Sequence, residues 1–284
     1  DELYRFSLAA TEDVCPTPSV LKCWRVPGME GNNVMCHLCG VKQSSLSHIL
    51  ASCNAGKDSA LSQGRYTWRH DSVLLALYKH IRTMRNAGRA VLKRGLKRPA
   101  KQATKFKGDK GSTLVAPCTS EQTESSVPLF EESDDWELQF DLDFEPDGQV
   151  KNQAFPAHIA TSSRRPDALM FSNKLKKVVW IELTSPWEDN CTKSYARKKG
   201  RYNKLEVAVK AAGWTPVALY VEVGTRGYIN DTWGRMSKAM GMTRTQSKAL
   251  RARCGRTALR CSYFIYLSRK VKAWNARALV EEKY

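Results

Sequence analysis

Long apolar runs and acidic side chains are both scarce in this sequence. No stretch approaches the roughly 18 consecutive apolar residues of a membrane-spanning helix, and no apolar run of the secretory type stands near the start. We therefore expect no membrane partner. Asp and Glu number 28 against 46 Lys and Arg, which gives a formal charge of +18. Because such a field attracts polyanions, the composition favours a nucleic-acid partner over a merely soluble basic protein.

Nine cysteines are present, an odd number that argues against a complete disulfide framework. Three of them stand with a histidine in the pattern Cys36-x2-Cys39-x8-His48-x4-Cys53. These are the four donors of a closed tetrahedral zinc site, and we call residues 36–53 the knuckle. Zn²⁺ should supply its folding energy, because so short a segment cannot bury its own core. The alternative is a set of buried free cysteines with a surface histidine.

Charge is segregated along the chain, and the segregation suggests domain boundaries. Residues 79–110 carry twelve Lys or Arg and one acid, whereas residues 121–147 carry eleven acids and no Lys or Arg. The stretch 107–126 between them is polar and without period, as flexible linkers are. We predict a knuckle with a following helix in residues 1–90, a basic and then polar linker in residues 91–133, and a second domain with basic C-terminal helices in residues 134–284. The linker should let the two domains fold independently.

A helix is predicted before the linker, capped by Asp71 or Ser72 and ending near Gly88. Its apolar positions recur at helical spacing in Leu74, Leu77, Tyr78 and Ile81.

Just upstream, GRYTWRHDSV interleaves basic and aromatic side chains. Arginines bind phosphate and aromatic rings stack on bases, so Arg65, Trp68 and Arg69 are nucleic-acid-binding candidates. The alternative is that Tyr66 and Trp68 pack the helix onto the knuckle.

The period changes after the linker, and an α/β (α+β) fold with a mixed sheet flanked by helices is predicted. DWELQFDLDF alternates like a half-buried strand, and RPDALMF and KVVWIELT form a hairpin across Ser172-Asn173-Lys174. A helix from Thr192 to Ala212 stops at Gly213, and TPVALYVEV follows as a buried strand. The last sixty residues should be helical, with a stripe of Phe264, Leu267, Val271 and Trp274.

Two acids stand in the predicted hairpin, Asp167 in RRPD and Glu182 inside the apolar run VVWIEL. An ionised carboxylate there is costly unless it binds a cation or a basic partner. Asp167 and Glu182 together can hold Mg²⁺ or Mn²⁺, which would activate water for attack on a phosphate. The alternative is that each acid pairs with a neighbouring Arg or Lys.

The helix after the hairpin offers a lysine to this pair. At about 100° per residue, the apolar stripe through Tyr195, Tyr202 and Leu205 passes close to Lys198, whereas Lys199 lies a further 100° round. We expect Lys198 to face the sheet and to assist catalysis, and Lys199 to face solvent or nucleic acid. Arg201, at the edge of the stripe, is a second phosphate-binding candidate or a plain exposed arginine.

Several segments resemble the C-terminal region of site-specific non-LTR retrotransposon proteins, whose restriction-like endonuclease belongs to the PD-(D/E)xK superfamily. In order they are CHLCG, SHILASC, GRYTWRHDSVL, HIATSSRRPDALMF, VVWIELTSPWEDN, ARKKGRYNKL and VEVGTRGY. The knuckle followed by the RPD motif is the specific part. The resemblance implies a restriction-endonuclease-like fold in which Lys198, Arg201 and Tyr202 match a Lys-x2-Lys-Tyr pattern. Arg201 replaces its second lysine, and Thr184 stands two residues beyond Glu182, where a lysine is usual.

The resemblance also implies a function, a metal-dependent DNA endonuclease whose cut primes reverse transcription. The expected partners are double-stranded target DNA, the element RNA and the reverse-transcriptase portion of a parent protein. Arg164, Arg165, Lys199, Arg201 and Tyr202 are then candidate nucleic-acid contacts. Lys93-Arg94 and Lys97-Arg98 are compatible with import into the nucleus. The alternative is a nuclease-like module that binds nucleic acid without cutting it.

Overall fold

The computed structural model describes residues 2–57, 64–95, 127–144, 147–272 and 274. The helices in these ranges are α1 (Glu2–Thr11), α2 (Pro18–Cys23), α3 (Asn54–Lys57), α4 (Arg65–Lys93), α5 (Cys191–Ala211), α6 (Thr232–Ala239) and α7 (Arg244–Leu267). None of them combines the length and the apolar character needed to cross a membrane.

A mixed four-stranded sheet forms the centre of the fold. Its strands are β1 (Glu137–Phe140), β2 (Ala168–Ser172), β3 (Lys177–Thr184) and β4 (Thr215–Glu222), in the spatial order β1-β2-β3-β4. The first three strands are antiparallel, whereas β3 and β4 are parallel and are joined through α5, the crossover that parallel strands require. The predicted α+β class and the β2–β3 hairpin are therefore confirmed. Only β1 is shorter than its alternating sequence suggests.

Both faces of the sheet are covered, which explains the nearly continuous apolar sequence of β3. Val179, Ile181 and Leu183 point to a core shared with α4, α6 and α7. Val178 and Trp180 point the other way, into a second core with the inner face of α5. Glu182 continues the second set, so its side chain lies on the α5 side of the sheet.

The helix α4 is longer than predicted at both ends. It begins at Arg65, so Asp71 lies inside the helix and does not cap it. It also continues through Gly88 to Lys93. Gly88 is buried against the loop before β1, where a Cβ atom would lie 2.3 Å from the carbonyl oxygen of Phe130. This glycine permits a close contact and does not end the helix.

The same helix joins the two predicted domains. Val73, Leu74, Leu77 and Ile81 belong to the core that packs on the sheet. Part of the predicted N-terminal domain, α4, therefore packs directly on the sheet of the predicted second domain. The greater part of the predicted linker, residues 96–126, lies outside the described residues, as do Lys97 and Arg98 of the basic cluster.

The C-terminal helix buries a different stripe from the predicted one. It ends at Leu267, and Leu267 and Val271 are 43% and 53% exposed. Phe264 and Trp274 are buried as expected. The buried face runs through Leu250, Cys254, Ala258, Cys261 and Ile265. Three of these five side chains are small, which lets α7 pack closely along α4. The hydrophobic pattern therefore understates this buried face.

Candidate functional site

The two candidate acids lie side by side because of the hairpin register. Ala168 pairs with Ile181 in the antiparallel β2–β3 ladder, so Asp167, one residue earlier, stands opposite Glu182. The Oδ2 atom of Asp167 accepts a hydrogen bond of 2.7 Å from the backbone N–H of Leu183. The side chains of Asp167 and Glu182 are 13% and 2% exposed. The hairpin thus brings the two carboxylates together at one end of the sheet.

Lys198 completes the group from α5. Its Nζ atom contacts Oε1 of Glu182, and its side chain is 16% exposed. Lys199, the next residue, is exposed. Tyr202, Leu205 and Val209 are buried on the same face as Lys198, so the predicted helix register is confirmed.

The two acids respond differently to this environment. Burial raises the pKa of Glu182, the nearby charge of Asp167 raises it further, and Lys198 only partly opposes this. Burial also acts to raise the pKa of Asp167, but the charge and hydrogen bond of His70 outweigh it, so that pKa is lowered. The second oxygen of Glu182, Oε2, is buried and has no hydrogen-bond partner in the part of the chain that the structure describes. A buried bare carboxylate oxygen beside an ionised carboxylate is the oxygen-donor set that a hard divalent cation prefers, so these residues fit Mg²⁺ or Mn²⁺.

His70 is part of this site, whereas its sequence context, GRYTWRHDSV, had placed it in the candidate nucleic-acid surface. Its Nε2 lies 3.4 Å from Oδ2 of Asp167, and its Nδ1 lies 3.0 Å from Oδ1 of Asp71. Asp71 in turn accepts from Nζ of Lys151 at 2.6 Å. Burial lowers the pKa of His70, but the two neighbouring carboxylates more than offset this and raise it to about 10. The dipeptide His70-Asp71 was a weak signal, and only the fold shows that it faces Asp167.

Arg65 and Arg69, two candidates for nucleic-acid contact, are internal side chains. Each is 1% exposed. Arg65 donates to the backbone carbonyls of Ser268, at 2.7 Å, and Val271. Arg69 donates to Leu50 O at 2.9 Å, Ser262 Oγ at 3.1 Å, Ser185 Oγ at 3.2 Å and Ser185 O at 3.3 Å. Because protein acceptors occupy both guanidinium groups, the prediction that they bind phosphate is corrected to a structural role.

The aromatic candidates also make contacts within the protein, although Tyr66 and Trp68 are only partly buried. Trp68 packs edge-on against Trp274 and Phe264, with ring centroids 5.4 and 6.3 Å away. Tyr66 donates to Ile49 O at 2.8 Å, which favours the alternative that this segment packs α4 onto the knuckle. Tyr202 is fully buried and donates to Arg165 O at 3.0 Å, so it is not a surface contact for nucleic acid.

The remaining basic candidates stay near the surface beside the acids. Lys199 and Arg201 are exposed on α5, and Arg164 is partly buried in the segment before β2. Arg165 is exposed and donates to Oδ1 of Asn152 at 3.0 Å. These four side chains flank the Asp167–Glu182 pair in sequence and remain the candidates for phosphate contact.

The four knuckle donors also converge. Ligand atoms of Cys36, Cys39, His48 and Cys53 all lie within 4.8 Å of one another, so the cluster could hold a metal ion. Gly40 has φ +66°, which lets the chain turn after Cys39, and a single π-helical turn from His48 to Ser52 brings in the other two donors. The hydrogen bond with the Cys53 thiol lowers the pKa of Cys36 to about 4, despite burial. His37, inside the turn, is exposed and outside the cluster.

Comparison with known proteins does not identify this site. No family model matches the chain, and no curated protein matches it significantly. The function has to be argued from the site itself.

Proposed function

We propose that this protein is a divalent-metal-dependent DNA endonuclease. The observation that carries the proposal is the convergence of Asp167, Glu182 and Lys198 at the end of the β2–β3 hairpin, with one oxygen of Glu182 buried and unpartnered. An ionised carboxylate buried in a core strand destabilises the fold unless a cation or a hydrogen-bond donor binds it. Among the described residues, Oε1 of Glu182 contacts Lys198 and Oε2 has no hydrogen-bond partner.

Each of the three residues has a chemical role in this proposal. Asp167 and Glu182 would hold Mg²⁺ or Mn²⁺ through carboxylate oxygens. When bound, such an ion lowers the pKa of a coordinated water and offsets negative charge on the phosphate. Lys198 holds its ammonium group against Glu182 and can stabilise the charge that develops on the phosphate oxygens. Its partly buried position strengthens this electrostatic effect.

DNA is the proposed substrate because the surface charge suits a polyphosphate. The chain carries a formal charge of +18. Arg165 is exposed two residues before Asp167, and Lys199 and Arg201 are exposed on α5 within three residues of Lys198. The resemblance to retrotransposon endonucleases supports target DNA, element RNA and a reverse-transcriptase portion as partners, and residence in the nucleus.

We further propose that the knuckle binds Zn²⁺ and that this site is structural. Three thiolates and one imidazole suit zinc, and all four tetrahedral positions would be filled by protein. No position on the zinc would be left for substrate. Cleavage is therefore assigned to the Asp167–Glu182 pair with Lys198, which we call the carboxylate site.

The test is nicking of supercoiled DNA in Mg²⁺ or Mn²⁺, combined with calorimetric titration of Mn²⁺ into the zinc-loaded protein. We expect Asp167→Asn and Glu182→Gln to abolish nicking and the Mn²⁺ isotherm while retaining a gel shift. Glu206→Gln is the matched control, because Glu206 is paired with Lys210 on α5, away from the site. A wild type that shifts DNA but neither binds Mn²⁺ nor nicks would establish the alternative, a binding module without catalysis.

A further inference from the structure

The helix α4 reaches the carboxylate site through one side chain, His70. Its imidazole bridges Asp167, just before β2, and Asp71 on its own helix. The bridge continues to Lys151, in the segment between β1 and β2. The side chains of Lys151, Asp71 and His70 therefore form a row of contacts that ends at Asp167.

The bridge acts on one particular oxygen. Oδ2 of Asp167 receives the His70 contact at 3.4 Å and the backbone N–H of Leu183 at 2.7 Å. One backbone donor and one close imidazole nitrogen on the same oxygen fix the plane of the carboxylate and direct its other oxygen, Oδ1. A carboxylate that must bind a cation benefits from this arrangement, because no rotation is needed when the ion arrives.

The imidazole is itself held in place. Asp71 contacts its Nδ1, which fixes the orientation of the ring, and Lys151 holds Asp71. The preceding residue, Arg69, anchors this turn of α4 to Ser185, directly after β3, and to Ser262 on α7. His70 is therefore presented to Asp167 by a fixed backbone.

We propose that His70 is a positioning residue, which orients Asp167 for metal binding while Asp71 orients His70. The proposal rests on the endonuclease function proposed above. It assigns a role to the His70-Asp71 pair, in which both imidazole nitrogens face carboxylate oxygens, Nδ1 that of Asp71 and Nε2 that of Asp167.

The experiment compares His70→Ala with His70→Gln, whose side-chain amide can still donate to Asp167. Mn²⁺ affinity is measured by calorimetry, and kcat, KM and melting temperature are measured in parallel. Residues that orient metal ligands typically change affinity or activity by about 10- to 100-fold. We expect His70→Ala to weaken Mn²⁺ binding and lower kcat within that range with little change in KM for DNA. His70→Gln should recover most of both, and Asp71→Asn should fall between them.

One control variant keeps the outcomes separable. Exposed His158 lies toward the turn end of the β2–β3 hairpin, against Phe171 and Trp214, and His158→Ala should match the wild type. If wild type binds Mn²⁺ and His70→Ala equals it in affinity and kcat, the positioning role is wrong while the endonuclease stands. If His70→Gln loses the Mn²⁺ isotherm as completely as Asp167→Asn, His70 is a ligand and the proposal is overturned. Absence of Mn²⁺ binding in wild type would overturn the endonuclease and the positioning role together.

Discussion

Lys198 and Lys199 are adjacent in sequence but have different surroundings, and they should respond differently to substitution. Lys198 contacts Glu182, whereas Lys199 is exposed. We expect Lys198→Ala to lower turnover by about 10²-fold with little change in DNA affinity, the scale for loss of one group that stabilises transition-state charge. Lys199→Ala should weaken DNA binding modestly and reduce its salt dependence by about one phosphate contact.

Single-turnover nicking and gel shifts over a range of salt concentrations measure both effects. Lys193→Ala serves as a control, because Lys193 is exposed about one and a half turns earlier on the same helix. An inactive Lys199→Ala beside a near-normal Lys198→Ala would contradict the assignment.

Asp135 holds the hairpin that carries both acids, and its protonation should destabilise the protein. Oδ1 accepts from Ser172 at 2.5 Å and from Ser133 at 2.6 Å, and Oδ2 accepts from the backbone N–H of Lys174 at 2.9 Å. Burial acts to raise the pKa of Asp135, but these hydrogen bonds lower it to about 2.

The stability contributed by Asp135 depends on pH, because its pKa differs between the folded and unfolded states. A carboxyl group whose folded-state pKa is depressed stabilises the protein above its unfolded pKa, about 4, and loses that stabilisation as pH falls toward 2. Asp135→Asn should therefore be less stable than wild type at pH 6, and the difference should shrink between about pH 4 and pH 2. Urea unfolding at several pH values measures it. A difference that stays constant with pH would show that the charge of Asp135 contributes nothing.

At the level of helices and strands, local patterns predicted elements whose buried faces are large and apolar. The β2–β3 hairpin and α5 follow their sequence periodicity closely. The start of α4 was missed because its first buried positions are Arg65 and Arg69, which a hydrophobic pattern counts as surface. The inner face of α7 was missed because cysteine and alanine form much of it. Periodicity fails where burial depends on long-range polar partners or on small side chains.

Two helical glycines should respond oppositely to the same substitution. A Cβ atom at Gly88 would lie 2.3 Å from Phe130 O, whereas one at Gly200 in α5 would meet nothing within 4 Å. We expect Gly88→Ala to destabilise the protein by about 2 kcal/mol, because overpacking outweighs the better helix propensity of alanine. Gly200→Ala should stabilise by up to about 1 kcal/mol. Chemical denaturation measures both, and equal effects at the two positions would refute the close packing of α4 on the loop before β1.

Across the whole molecule, sequence identified the site residues that are close along the chain and missed those brought in from afar. Asp167, Glu182 and Lys198 lie within 32 residues on one β-hairpin and the following helix, so register and helical period suffice to place them. His70 comes from a helix nearly a hundred residues earlier. Its contact depends on the packing of α4 against the sheet, which no local pattern encodes.

The knuckle is tied to the rest of the fold at several points. Leu46, Ile49 and Leu50 are buried in a cluster with Ile265 and Tyr266 of α7. Arg69 links Leu50 O to Ser185 and Ser262. A buried guanidinium that loses one of its hydrogen-bond acceptors destabilises the fold. Loosening the knuckle should therefore also destabilise the packing at the end of β3 and on α7.

Removal of zinc should therefore destabilise the whole described fold, although the linker by itself predicts independent domains. Cys39→Ser and His48→Ala each remove one proposed ligand, and exposed His37→Ala is the matched control. We expect either ligand variant, or a chelator, to release zinc and cost about 3 kcal/mol, which lowers the melting temperature by about 10 °C in one cooperative transition. Circular dichroism at far- and near-ultraviolet wavelengths, with zinc measured in parallel, follows this. A zinc-free protein whose remaining transition keeps the wild-type melting temperature would show that the contacts of Arg69 and Leu50 do not couple the knuckle to the sheet.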